Sequence, residues 1–265
     1  MKNFIQKQKI DKLDALLITA HVLKCDKLDI LTLKRQPNFI EKIRIKWLVG
    51  KRKRGVPLAY ILGEQEFMEL SFLVNKHVLI PREDTEPLVR AVLPYCNRKK
   101  KILEIGTGSG AIAISIAKLG RKTRKICAMD ISRKALKVAE KNARLHNVDA
   151  KVRFFWRDIF EEKGWRDFDI LISNPPYIPM GVIPTLQTEV KDNEPMIALS
   201  GGEDGMRFYR RIAEFGKKAL KSGGMIFLEI GDFQGNDVID IMKDYKYIGS
   251  KVDISGTIRV LIFEV

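Results

Sequence analysis

Cysteine and histidine are scarce in this chain of 265 residues, which contains three of each. The cysteines form no Cys-x-x-Cys pair and are odd in number, so neither a disulfide framework nor a thiolate zinc site is predicted; they are Cys25, Cys96 and Cys127. We expect no metal site. The histidines are isolated from one another, and we interpret all three as ordinary structural or surface residues: His21, His77 and His146.

Long uncharged apolar runs are also lacking. No segment offers the roughly 18 consecutive apolar residues of a membrane span, and charges follow the first few residues where a signal peptide would continue its apolar core. We therefore expect a cytoplasmic protein with no membrane partner. The composition, 45% hydrophobic and 31% charged, is that of a globular protein able to build a core.

Acidic residues are outnumbered, with 33 Asp and Glu against 48 Lys and Arg, which gives a formal net charge of +15. Such an excess raises the local concentration of anionic partners, nucleic acid or a ribonucleoprotein among them. A lysine-rich proteome produces the same excess without any such partner. Both interpretations stay open, and neither specifies a chemistry.

The front of the chain, residues 10–55, has apolar residues at helical spacing and predicts a small helical domain. Its last helix is expected to run from Pro37 to Arg54, with Gly55 as a left-handed stop. The cations Lys51–Arg54 suit a helix C-terminus, although a docking patch for an acidic or nucleic-acid-bearing partner is the alternative. The next segment, Pro57–Val78, predicts a connector with a short hairpin.

Beyond Lys100 strand and helix patterns alternate, which predicts an α/β fold with a doubly wound, mainly parallel sheet. Six strands are predicted, at 102–105, 126–129, 152–155, 169–172, 225–228 and 260–263, and three helices, at 111–119, 132–146 and 205–220. We therefore divide the chain into a helical domain at 1–60, a linker with a hairpin at 61–84 and an α/β domain at 85–265.

A glycine-rich loop, Gly106-Thr107-Gly108-Ser109-Gly110, joins the first strand of this domain to its helix. Glycine permits a sharp turn and lets a cofactor approach the backbone. Asp130 follows the second strand about twenty residues later, where a carboxylate can accept both hydroxyls of a ribose. Together they predict an adenosine-containing cofactor. Alone, the loop also fits a relaxed dinucleotide pattern, with Ala111 in third place, or a plain tight turn.

Glu104 is an acid within the apolar first strand. Burying an unpaired carboxylate costs free energy, so we expect Glu104 to face the charged end of the cofactor. That expectation favours S-adenosylmethionine, which carries a sulfonium and an ammonium group, over a cofactor with a pyrophosphate.

The tetrapeptide Asn174-Pro175-Pro176-Tyr177 directly follows a strand, at the sheet edge where ligands bind. Two prolines fix φ, so the carbonyls of Asn174 and Pro175 can join the Asn174 side-chain oxygen as acceptors for a substrate NH2 group. Tyr177 adds an aromatic face. Such acceptors orient a delocalised nitrogen lone pair and stabilise its growing charge. The tetrapeptide predicts methyl transfer to a planar nitrogen, and a proline-stiffened loop is the alternative.

Together with further motifs, these segments resemble the PrmC (HemK) family of release factor glutamine methyltransferases over nearly the whole chain. The further motifs are Pro57–Gly63 with Glu66-Phe67, Leu79–Arg82, Asp84–Glu86, Ile178, Glu194-Pro195, Ala198-Leu199, Gly201-Gly202, Asp204-Gly205, and Leu228–Gly231 with Gln234. The resemblance implies a class I (Rossmann-like) methyltransferase domain with a seven-stranded sheet. It also implies a preceding small all-helical domain and a β-hairpin linker.

The resemblance also implies roles for individual positions. Matching residues place Gly106–Gly110 and Asp130 around S-adenosylmethionine, with Asp158 and Ile159 beside its adenine. Asn174 would lie near its methionine end. The implied substrate is the glutamine of the Gly-Gly-Gln motif of a class 1 peptide chain release factor, held by residues 174–177 and docked with help from the helical domain.

Three positions depart from the family pattern. The family commonly has proline where this chain has Glu83 and Asp where it has Glu104, and neither change removes a group that the mechanism requires. The family often carries an aromatic residue where this chain has Ile159, which offers only aliphatic packing to an adenine.

Other functions stay open at this point. An adenine amino-methyltransferase would present the same planar NH2 group to Asn174 and Tyr177, but the chain shows no added target-recognition domain, so direct nucleic-acid binding is not expected. A close variant would methylate a glutamine in a ribosomal protein. An RNA-associated binding protein would have no need of the glycine loop, Asp130 and Asn174 together. We expect a monomer.

Overall fold

The structure is a computed structural model that describes residues 10–32, 34–97, 99–120 and 125–265. Contacts divide the chain into two compact units. The smaller unit ends at Glu64 and also contains Gln187–Asn193, whereas the larger comprises Gln65–Leu186 and Glu194–Val265. Among the described residues, no helix is both long enough and apolar enough to span a bilayer.

The described helices and strands are numbered here in chain order. The helices are α1 Lys12–Leu23, α2 Lys27–Leu31, α3 Phe39–Lys53, α4 Leu58–Leu62, α5 Glu86–Val92, α6 Ala111–Leu119, α7 Arg133–Leu145, α8 Thr188–Lys191, α9 Met196–Leu199, α10 Arg207–Ala219 and α11 Gly235–Ile241. The strands are β1 Glu64–Phe67, β2 Leu70–Leu73, β3 Ile102–Ile105, β4 Ile126–Asp130, β5 Val152–Trp156, β6 Phe168–Ser173, β7 Leu220–Glu229, β8 Lys246–Val252 and β9 Ile258–Glu264.

The smaller unit is helical, with a core of aliphatic side chains that includes Ile18, Val22, Ile45, Leu48, Val49 and Ile61. Helix α3 begins at Phe39 and not at the predicted Pro37. The reason is a capping box, in which the Asn38 side chain accepts from the Glu41 amide at 2.9 Å and the Glu41 carboxylate accepts from the Asn38 amide at 2.8 Å. Gly55 has φ +83°, as expected of a left-handed stop.

One cation of the basic run has a structural contact inside this unit. The Arg52 guanidinium lies 2.5 Å from Asp14 of α1 and 2.5 Å from Glu189 of α8. Its side chain is only 19% exposed. Arg52 therefore ties α3 to two other helices, which supports the structural interpretation of the run at that position.

The larger unit contains a seven-stranded sheet in the order β5-β4-β3-β6-β7-β9-β8. Strands β3 to β7 are parallel, and β9 runs antiparallel to both β7 and β8. This confirms the predicted α/β class and the seven-stranded sheet. The apolar pattern had indicated six strands, because β8 lies at the sheet edge and buries none of its residues completely.

The predicted hairpin is confirmed as β1 and β2. Its two turn residues, Met68 and Glu69, have φ of 52° and 60°, the left-handed conformation of a type I′ turn but without glycine. The Glu86 carboxylate accepts a hydrogen bond from the Met68 amide at 2.8 Å, which supports the turn from outside. Helix α4, which precedes the hairpin, was not predicted from the sequence.

Asn142 of α7 connects the hairpin to the glycine loop. Its side-chain oxygen accepts from the Leu73 amide at 2.8 Å, and its side-chain nitrogen donates to the carbonyls of Leu73 at 3.0 Å and Ser109 at 2.8 Å. The side chain is completely buried. Replacing it leaves three backbone groups without these partners, and the Ser109 carbonyl among them is buried.

We expect Asn142→Ala to lower the free energy of unfolding by about 2–4 kcal/mol, because unpaired buried polar groups keep their full desolvation cost. Chemical denaturation followed by circular dichroism measures the change. Lys141→Ala, at an exposed position of the same helix, serves as the control and should change the value by less than about 0.5 kcal/mol. Equal effects of the two substitutions would contradict the role given to Asn142.

Candidate active site

The carboxyl ends of β3, β4 and β6 meet at one edge of the sheet. Ile105 pairs with Met129 of β4 on one side and with Ser173 of β6 on the other. The next positions along the chain are therefore neighbours, and they are Gly106, Asp130 and Asn174. A cavity opens at this edge, where ligands bind in doubly wound folds.

Eight of the predicted site residues line this cavity: Gly106, Gly108, Asp130, Asp158, Ile159, Asn174, Pro175 and Pro176. The other predicted residues lie outside its lining, and they are Glu104, Thr107, Ser109, Gly110 and Tyr177. The structure thus brings together the loop, the acid after β4 and most of the tetrapeptide.

The glycine loop owes its shape to backbone contacts with β4. The amides of Gly106 and Thr107 both donate to the Met129 carbonyl, at 2.9 Å and 3.1 Å. Gly106, Gly108 and Gly110 have φ of 74°, 56° and 82°. A Cβ added to Gly108 would meet no atom within 4 Å, whereas one on Gly110 would lie 2.8 Å from Ile114 Cδ1. Gly108 therefore leaves open space for a ligand, and Gly110 allows close packing.

Both oxygens of the Asp130 carboxylate are already held by the backbone. Oδ2 accepts from the Gly108 amide and Oδ1 from the Ser132 amide, each at 2.8 Å. Burial raises the pKa of Asp130, and these two amide bonds act in the opposite direction. Each oxygen can accept a further hydrogen bond, and because Asp130 lines the cavity, its fixed carboxylate is available to accept the two hydroxyls of a ribose.

Asp158 and Ile159 form the next part of the wall, together with residues that the sequence analysis missed. The Phe160 ring packs edge-on against Phe208, with 5.4 Å between centroids, and the Arg207 guanidinium lies 4.4 Å from the centre of the Phe160 ring. All three of these side chains line the cavity. Phe160 thus supplies an aromatic ring beside Ile159, and its position directly after the predicted pair was the available signal.

A second group of lining residues had been given no site role by the sequence. The group comprises His77, Val78, Leu79, Pro195, Ile197 and Ala198. Glu194 is buried, accepts from the Ile80 amide at 3.4 Å and forms an ion pair with Arg82. This contact holds the segment around residue 80 against the one around residue 195. His77, interpreted from sequence as an ordinary histidine, contributes to the cavity wall.

The tetrapeptide lies across from the glycine loop. A Cβ on Gly106 would lie 3.9 Å from the Asn174 carbonyl oxygen, so this acceptor faces the loop across a short gap. The Tyr177 carbonyl accepts from Gln234 Nε2 at 2.9 Å, and the Tyr177 ring would be 2.9 Å from a Cβ on Gly231. Burial, with Glu229 nearby, raises the pKa of the Tyr177 hydroxyl, which stays protonated at neutral pH.

Glu104 lies beneath the loop. It has no exposed surface, its Oε2 accepts from the Thr107 hydroxyl at 2.7 Å, and its Oε1 has no hydrogen-bond partner among the described residues. Burial raises the pKa of this carboxyl to about 7. From this position Glu104 stabilises the glycine loop through its hydrogen bond with Thr107. A contact of Glu104 with the cofactor stays a prediction.

The fold and the cavity define a class I S-adenosylmethionine-dependent methyltransferase. The structure is similar to a crystal structure of a methyltransferase from Pyrococcus furiosus, with a TM-score of 0.56 and 19% identity over 75% of this chain and 90% of that one. Residues 84–187 match the family model for the methyltransferase small domain, and residues 1–63 match the PrmC N-terminal domain.

Two relatives identify the family. The release factor glutamine methyltransferase of Clostridium acetobutylicum is 41% identical, covering 94% of this chain and 90% of the relative. The enzyme of the same name from Thermodesulfovibrio yellowstonii is 38% identical, covering 100% and 96%. The chain belongs to the release factor glutamine methyltransferase family, which confirms the resemblance drawn from the sequence motifs.

We expect Asp130→Asn to weaken S-adenosylmethionine binding about 10- to 100-fold, because the amide cannot accept from the Gly108 and Ser132 amides and from two hydroxyls at once. Isothermal titration calorimetry measures the dissociation constant. Asp149→Asn changes an exposed carboxylate outside the cavity and is the matched control. Unchanged binding by Asp130→Asn would exclude Asp130 from the cofactor site.

The raised pKa of Glu104 predicts that the stability of the fold depends on pH. Its pKa in the folded chain, about 7, exceeds the ordinary 4.5, so the folded state holds this proton more tightly than the unfolded state does. The resulting stability is complete below pH 4.5 and is lost as the pH rises through about 7. We expect Glu104→Gln to abolish this loss, so that Tm of the variant gains on the wild type between pH 5 and 8. Parallel curves of Tm against pH would contradict this.

Proposed function

We propose that this chain transfers the methyl group of S-adenosylmethionine to the side-chain amide nitrogen of the glutamine in the Gly-Gly-Gln motif of class 1 release factors. The observation that carries the proposal is the placement of Asn174 and Pro175 on the wall of the cavity that Gly106, Gly108 and Asp130 also line. The relatives named above act, by their names, on a release factor glutamine.

Residues of this chain alone would hold the cofactor. Gly106 and Gly108 leave space beside the backbone, Asp130 presents two fixed carboxylate oxygens, and Ile159 offers an apolar surface that is itself buried. S-adenosylmethionine supplies an electrophilic methyl group on a positively charged sulfur. Transfer of that methyl group would leave a neutral thioether, and the proton lost by the methylated amide nitrogen would pass to water.

An amide nitrogen is a poor nucleophile because its lone pair is delocalised, and the tetrapeptide would compensate by orienting that lone pair. The Asn174 side-chain oxygen and the carbonyls of Asn174 and Pro175 are acceptors on a proline-stiffened backbone, and together they would hold both hydrogens of the substrate NH2 group. Held in this way, the nitrogen lone pair is directed at the methyl carbon. The same oxygens stabilise the positive charge that develops on nitrogen during transfer, so no strong general base is required.

The division of the chain supports a role in docking the protein substrate. We place substrate docking in residues 1–60, the linker in 61–84 and catalysis in 85–265. Helix α3 exposes four large apolar side chains, Phe39 at 78%, Ile40 at 75%, Ile43 at 53% and Trp47 at 57%. Exposed apolar groups of this size mark surfaces for protein contact. A cytoplasmic location and a monomeric state also stay predictions.

Asn174→Ala should lower kcat for release factor methylation at least about 100-fold, because it removes an acceptor aimed at the charge of the transition state. Cofactor affinity should be little changed. Labelled S-adenosylmethionine with a purified release factor measures transfer, and calorimetry measures binding. Asn236→Ala, at an exposed position on α11, is the matched control and should retain full activity.

The acceptor is tested in the same assay with alternative substrates. A release factor whose Gly-Gly-Gln glutamine is replaced by Ala should take up no label, and neither should duplex DNA or ribosomal proteins. Equal labelling of the Ala variant would refute the proposed target atom. Label on DNA instead would establish an adenine amino-methyltransferase.

A further inference from the structure

Two buried polar side chains lie behind Asn174, on the side away from the cavity. The register of β6 and β7 pairs Ser173 with Leu228, so the next residues, Asn174 and Glu229, are side by side at the ends of their strands. Glu229 is 3% exposed and Thr85 is 5% exposed. Neither lines the cavity. They lie next to Asn174 of the tetrapeptide but outside the lining of the cavity.

Thr85 has a direct hydrogen bond with the Asn174 side chain. Asn174 Nδ2 donates to Thr85 Oγ1 at 3.2 Å. A threonine hydroxyl has one proton to donate and lone pairs to accept, so its direction is set by its other neighbour. The carboxyl of Glu229 is buried beside Asn174 in the register of β6 and β7, and hydrogen bonding from the Thr85 hydroxyl and the Asn174 amide lowers its pKa against the larger effect of burial.

The direction of the hydrogen bonds between Glu229, Thr85 and Asn174 matters because a side-chain amide has a donor, its NH2 group, and an acceptor, its oxygen. If Asn174 were rotated by 180° about its last bond, Nδ2 would face the cavity and meet the hydrogens of the substrate NH2 group. Donor would then face donor, and the acceptor would be lost. When the Thr85 hydroxyl donates to the Glu229 carboxyl, only its lone pairs remain for Asn174, so Nδ2 must face Thr85 and Oδ1 is left for the substrate.

We propose that Thr85 and Glu229 are positioning residues for methyl transfer, which together fix the side-chain amide of Asn174 with its oxygen toward the substrate nitrogen. The inference rests on the proposed function and assigns a task to two family motifs that the cofactor and substrate contacts left without one. Those motifs are Asp84–Glu86 and Leu228–Gly231.

The charges around Glu229 are compatible with this task. Arg259 is the nearby cation, and its guanidinium is shared with Asp232 at 2.7 Å, Asp253 at 2.8 Å and Asp84 at 3.4 Å. Burial raises the pKa of Glu229 to about 8, and Arg259 offsets only part of this effect. A carboxyl oxygen of Glu229 can accept the Thr85 hydroxyl proton in either protonation state.

Thr85→Val and Thr85→Ser separate the hydroxyl from the volume of the side chain. Valine keeps the shape and removes the hydroxyl, and we expect kcat with the release factor to fall about 10-fold or more while the cofactor dissociation constant changes less than about 2-fold. Serine keeps the hydroxyl and should restore most of kcat. Wild-type kcat that survives Thr85→Val, or a serine variant as impaired as the valine variant, would overturn the proposal.

Glu229→Gln tests the second member and its dependence on the first. The glutamine amide can donate to the Thr85 hydroxyl and reverse it, so kcat should fall about 10-fold with cofactor binding retained. In the Thr85→Val background the same change should lower kcat less than it does in the wild type, because only the direct contact between Glu229 and the Asn174 amide remains. If Glu229→Gln lowered kcat about 10-fold in both backgrounds, the coupling between Glu229 and Thr85 would be refuted.

The controls distinguish this inference from the proposed function. The wild-type chain must first label the release factor; no label there would refute the function itself, whereas label with unaffected variants refutes only the positioning. Melting curves show whether each variant is folded at the assay temperature. If Thr85→Val is not folded, Glu229→Gln alone decides, and an unchanged kcat in that variant overturns the proposal.

Discussion

The parallel pairing of β3 with β4 and β6 is the constraint on which the site depends. Because Ile105 lies between Met129 and Ser173, the residues that follow these strands leave the sheet together. The loop at Gly106, the carboxylate of Asp130 and the amide of Asn174 therefore converge, although nearly seventy residues separate the first from the last. A shift of one residue in either pairing would turn these groups to the opposite face.

Two buried acidic side chains lie beneath this edge of the sheet, and burying them costs folding free energy. Glu104 supports the glycine loop through Thr107, and Glu229 lies behind Asn174. Each has an oxygen without a hydrogen-bond partner among the described residues, and burial raises the pKa of each. Buried groups of this kind lower stability, and they are tolerated where a site needs rigid backing.

Much of the fold could be predicted from the sequence, because apolar periodicity reports burial directly. Helix α6 was predicted with its observed bounds, and the parallel strands were each found within a residue or two, apart from the longer β7. The elements that were missed or misplaced are those whose presence or bounds do not depend on a buried apolar run. Strand β8 lies at an edge and shows no apolar run, and α3 starts two residues late because Asn38 and Glu41 form a cap that outweighs Pro37.

For the site, the sequence by itself determined the reactive groups: glycines that free the backbone, an acid after the second strand, and a proline-stiffened set of acceptors. Those properties belong to residue types and local spacing. Only the tertiary structure decided which of them face the cavity. Glu104 and Tyr177 do not line it whereas Phe160 does, and Thr85 reaches Asn174 from 89 positions away in the chain. Contacts of that range arise from strand register and helix packing, which no local pattern contains.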